Sequence, residues 1–66
     1  MTAPWNDYSG APIKDGDLIR HPSGEIGRVI LGNSENASES WRVDYGNGFP
    51  SLLCLQIGDK GRAVVI

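Results

Sequence analysis

Two short apolar runs parted by Pro22-Ser23-Gly24 constrain this chain more than any other feature. Leu18-Ile19-Arg20-His21 and Ile26-Gly27-Arg28-Val29-Ile30-Leu31 are short and rich in β-branched residues, and Asp15-Gly16 stands in front of them. Proline presets φ and glycine accepts positive φ, so the Pro-Ser-Gly segment is turn chemistry. Lys14 to Ile30 therefore reads as a strand, a tight turn and a second strand.

The same alternation of apolar runs and turns continues downstream. Trp41-Arg42-Val43-Asp44-Tyr45 puts Trp41, Val43 and Tyr45 on one face and Arg42 and Asp44 on the other, a strict period of two. Gly46-Asn47-Gly48 follows, and Asn-Gly favours the turn geometry that matches strand twist. Ser51 to Ile57 and Arg62 to Ile66 are expected as two further strands joined by Gly58-Asp59-Lys60-Gly61. Gly32 to Ser40 is polar and without period, a surface loop. Five short strands with turn signals and no helical period predict an all-β fold, a small five-stranded barrel over residues 15–66. Residues 1–14 are expected to form an irregular N-terminal arm, since Pro4, Gly10 and Pro12 interrupt any pattern there.

The last two strands lack a polar face. Leu53, Leu55 and Ile57 share one side, but Leu52 and Cys54 make the other side apolar too, and Ala63-Val64-Val65-Ile66 is apolar on both. A strand with one wet face is polar there. Length adds to this, because a domain near ~60 residues buries only ~60% of its chain's surface. With a single cysteine no internal disulfide forms, and one cysteine with one histidine cannot complete a zinc site. Self-association into a dimer or tetramer is the remaining remedy. Leu52, Cys54, Val64 and Ile66 are the expected interface residues, and a free edge on the last strand invites pairing with a neighbour.

Six basic and eight acidic residues give a net charge of −2 and a pI near 5.0. Nucleic-acid partners call for a basic footprint, so composition argues against one, although Arg20, Arg28, Arg42 and Arg62 are free to cluster on folding. There is no signal-like or membrane-spanning segment, and Ala63 to Ile66 is far too short to cross a bilayer. A cytoplasmic protein without membrane partners is expected, which leaves the Asn36-Ala37-Ser38 sequon incidental.

Residues for catalysis are sparse. His21 sits beside Pro22 in a turn and is expected at the surface; Ser23 and Ser51 have no evident base partner. Cys54, among leucines, reads as a small hydrophobe. The carboxylates lack the spacing of a metal loop or a catalytic pair, so no catalytic residue, metal or cofactor is expected. The aromatics offer more. Tyr45 and Phe49, with Trp41, are candidates for a groove that takes a peptide or small-molecule ligand, such as a proline-rich segment or a methylated amine, with Trp5 as a lid. The competing reading makes Trp41 and Tyr45 core residues beside Val43.

Gly16-Asp17-Leu18-Ile19-Arg20-His21-Pro22-Ser23-Gly24 resembles the opening hairpin of Tudor-like and KOW-like SH3 barrels. Trp41 to Gly48 resembles a later strand of those domains and the turn that follows it. Over roughly residues 14–57 the resemblance implies an SH3-like barrel and a binding role, including a nucleic-acid-associated adaptor. The chain is also similar to plasmid-borne type II dihydrofolate reductases, through Gly16, Asp17, Leu18, Ile19, Arg20, Ser23 and Gly24. That likeness implies a tetramer around a central pore, with Leu55-Gln56-Ile57-Gly58 in the place of the family's pore strand and Gln56 and Ile57 contacting ligand. Gly58 stands where the family has tyrosine, and His21 or Pro22 where it has a basic residue. Small barrels of this type also resemble products of mobile gene cassettes. The expected function is thus a self-associating, non-catalytic interaction module, with a reductase-like pore enzyme as the alternative.

Overall fold

A computed structural model describes all residues, Met1–Ile66. Its centre is a five-stranded antiparallel sheet in the order β6-β5-β4-β3-β7. β3 (Leu18–Arg20) and β4 (Ile26–Leu31) form the expected first hairpin, with Ile19 opposite Gly27. Gly24 at φ 96° makes the turn in a conformation that costs glycine little. β5 (Trp41–Asp44) pairs with β4, Val43 opposite Val29, and β6 (Ser51–Leu52) pairs with β5. β7 (Val64–Val65) returns to the free side of β3, Val65 opposite Ile19. β6 and β7 are the two edges, so the strands are all-β in character but the sheet does not close on itself.

Four expectations need correction. Ser51 to Ile57 is not one strand: after Leu52 the chain turns into a short helix, α2 (Leu53–Ile57). The i, i+4 spacing of Leu53 and Ile57 drops both into the core, whereas a strand would expose half the run. The last strand is likewise short, because Arg62 adopts φ 59° just before it. The polar loop contains one helical turn, α1 (Ala37–Ser40), capped by the Asn36 side chain, which accepts from the Ser38 N–H at 3.0 Å.

The fourth concerns the N-terminus, which is ordered. β1 (Thr2–Asn6) and β2 (Pro12–Lys14) pair antiparallel as a separate hairpin. Its alternation buries Ala3 and Ile13 in the same cluster as Ile19, Val29, Trp41, Val43, Leu53, Ile57 and Ala63. The first hairpin thus shares one core with the five-stranded sheet. Asp7 locks this hairpin to the other end of the chain. Its Oδ1 accepts from the Ser9 N–H, the Ser9 hydroxyl and the Ala11 N–H at 2.7–2.9 Å, and its Oδ2 accepts from the Val65 N–H at 2.8 Å. The Tyr8 N–H donates to the Ala63 carbonyl at 3.1 Å. The Val65 N–H, on the outer edge of β7, is thus bonded within the chain.

Candidate functional site: the outer face of the sheet

Alternation along each strand divides the sheet into two faces. Ile19, Gly27, Val29, Trp41 and Val43 point inward and are buried. Outward from the same strands point Leu18 and Arg20, Ile26, Arg28 and Ile30, and Arg42 and Asp44. Register extends this face to both edges. Leu52 lies opposite Arg42, Val64 opposite Arg20, and the Ile66 N–H donates to the Leu18 carbonyl at 3.1 Å. Six aliphatic side chains thus share one face, with Leu18 at 39%, Ile26 at 50% and Ile66 at 53% exposed and the other three half-buried. Arg20, Arg28 and Arg42 run between them, so the face mixes aliphatic and basic side chains.

Three of the four residues expected at an interface, Leu52, Val64 and Ile66, fall on this face. Cys54 does not: it is a half-buried free thiol on α2. Leu18, Ile26 and Ile30 were missed, although the consecutive apolar pairs Leu18-Ile19 and Val29-Ile30 carried the same two-sided signal as the late strands.

The arginines are partly fixed. Arg28 Nη1 donates to the Gly16 carbonyl at 3.0 Å and Arg42 Nε to the Glu39 carbonyl at 3.0 Å. Each bond uses one of five N–H donors and leaves the rest for an anion.

The aromatics expected to line a groove are dispersed over different environments. Trp41 is 3% exposed and belongs to the core, and Trp5 packs half-buried against it. Phe49 is 81% exposed on the loop between β5 and β6. Tyr45 lies on the inner side, where its ring covers Gly27; a Cβ there would stand 2.8 Å from the ring and 2.5 Å from Val43 Cγ1. The Tyr45 hydroxyl donates to Gln56 Oε1 at 2.8 Å. Burial raises its pKa, and the negative charge of Glu25 raises it further.

The residues of the reductase-like pore, Gln56 and Ile57, lie on α2 and not on a strand. Ile57 is buried in the core, and Gln56 is engaged by Tyr45. His21 and Ser23 do meet, Nδ1 to Oγ at 2.9 Å, a contact not foreseen from the sequence. The Ser23 N–H also lies 3.2 Å from His21 Nδ1, so the ring closes the turn. No cavity of ligand size opens in the chain, and no three His, Cys, Asp or Glu side chains gather as a metal site. No helix is long and apolar enough to cross a membrane.

No family model, no curated protein and no solved structure matches this chain.

Proposed function

We propose that this chain is an SH3-like barrel acting as a non-catalytic interaction module, with the outer face of its five-stranded sheet as the docking surface. The observation that carries the docking surface is the set of six aliphatic side chains on one exposed face. For the barrel, the support is strand order: β3 to β6 lie side by side in sequence, and β7 crosses back beside the first of them after α2. That is a small meander returning on itself.

Self-association, for which Leu52, Val64 and Ile66 were the expected residues, is a competing use of this same face. Light scattering across micromolar concentrations tests it. Growth in mass that Ile66→Asp abolishes supports a second copy as occupant, because burying an unpaired carboxylate is costly. A constant monomer mass removes that use.

The reductase-like alternative predicts binding and turnover of NADPH and dihydrofolate. A titration with both is expected to give neither, and turnover would overturn the non-catalytic reading. As a module with a free Cys54 thiol, the chain suits a reducing, cytoplasmic setting.

A further inference from the structure

We infer that the outer sheet face docks an acidic segment of a partner chain, one with carboxylates two residues apart and aliphatic residues at the same spacing beside them. This rests on the outer face being the docking surface. The observation behind it is how charge divides over the molecule. Arg20, Arg28 and Arg42 are three of the six basic residues, and of the eight acidic ones the face holds only Asp44. A chain of net −2 thus consists of a face at +2 and a remainder at −4.

Register arranges the arginines on a diagonal. Arg42 lies opposite Ile30, Arg28 opposite Asp44 and Leu18, and Arg20 opposite Ile26. Each arginine is therefore one strand across and two residues along from the next. Diagonal neighbours of this kind stand about 7–8 Å apart. Same-side residues of an extended peptide repeat at roughly 6.6–6.8 Å. Carboxylates two residues apart keep step with adjacent guanidinium groups, which bind them as two-pronged forks. Leucines at the same spacing reach the aliphatic side chains that border the stripe, among them Leu52 and Val64.

Charge also ranks the competing occupants. A second copy of this face would set +2 against +2 and strip water from unpaired guanidinium groups, which is costly. A nucleic-acid strand would find no aromatic on this face to stack on, and its length would run it against the acidic remainder. A short acidic and aliphatic segment meets the face and stops there.

The test uses a fluorescein-labelled peptide containing Leu-Ser-Glu-Ser-Glu-Ser-Leu, a control with lysine replacing both glutamates, and an oligothymidine strand, read by fluorescence anisotropy. Saturable binding of the acidic peptide alone is expected, weakening as salt rises. Arg28→Gln and Arg20→Gln are each expected to weaken it about tenfold. Arg20→Gln, on an exposed side chain, carries the test if loss of the Gly16 contact unfolds the Arg28 variant. Equal binding of the lysine control, preference for oligothymidine, or affinity unchanged in the arginine variants overturns the inference. Absence of peptide binding in a chain whose mass grows with concentration overturns it too, but leaves the docking surface standing with a second copy as occupant. Absence of binding in a chain that stays monomeric removes both.

Discussion

Leu18 and Ile19 are adjacent on β3 and similar in size, yet one is 39% exposed and the other fully buried. The contrast runs across the whole sheet. The inner face is the expected core, closed by the N-terminal hairpin and α2. The outer face carries six aliphatic side chains that stay half-buried or exposed, and half of the molecule's basic residues besides. Folding accounts for the first composition and not for the second. Aliphatic residues on an exposed sheet face, mixed with arginine, are the ground for the proposed docking surface.

The widest gap between the two faces is expected in stability. Ile19→Ala opens a cavity in the core and is expected to cost about 2–5 kcal/mol in chemical denaturation. Leu18→Ala removes a side chain that is already partly exposed and is expected to cost about 1 kcal/mol. Equal losses would erase the distinction. Gly61→Ala tests how tightly α2 closes the inner side. Gly61 is buried, and a Cβ there collides with the Gln56 carbonyl, so a loss of about 1–3 kcal/mol is expected.

Asp7→Asn tests the clasp between the first hairpin and β7. An amide cannot accept the full set of bonds that the carboxylate accepts, and about 1–3 kcal/mol is expected to go. Burial pushes the Asp7 pKa up, but the hydrogen bonds from Val65, Ser9 and Ala11 outweigh it and hold the pKa below its ordinary value of 3.8. The unfolded chain therefore takes up the proton first as pH falls. The contribution of Asp7 is fully present above the ordinary value and is lost as pH drops below it, through the lowered folded value. Denaturation midpoints of the parent are expected to fall in this acid range more steeply than those of Asp7→Asn. Tyr45→Phe removes one bond to Gln56 and is expected to cost about 1 kcal/mol.

Much of the inner face was legible in the sequence. Trp41, Val43 and the first hairpin declare themselves by a period of two and by turn residues with one preferred geometry. α2 was not legible, because a short apolar run such as Leu52 to Ile57 satisfies strand and helix spacing alike. The N-terminal hairpin was hidden by prolines at Pro4 and Pro12, both exposed on its strands, where proline is tolerated. Asp7 carried no signal in the sequence. The bond to Val65 is set by tertiary packing, which no local pattern encodes. Of the outer face, the sequence singled out Leu52, Val64 and Ile66, as residues of an oligomer interface. The arginine diagonal depends on strand register and could not be drawn before the strands were paired.

The division of the sheet into a folding face and a proposed docking face is tested most directly by backbone amide chemical-shift mapping during titration with the acidic peptide. Shifts are expected on Leu18, Arg20, Ile26, Arg28, Arg42 and Ile66, with Phe49, the His21–Ser23 turn and α2 left quiet. Shifts centred on Phe49 and α2, or spread without regard to face, would contradict it.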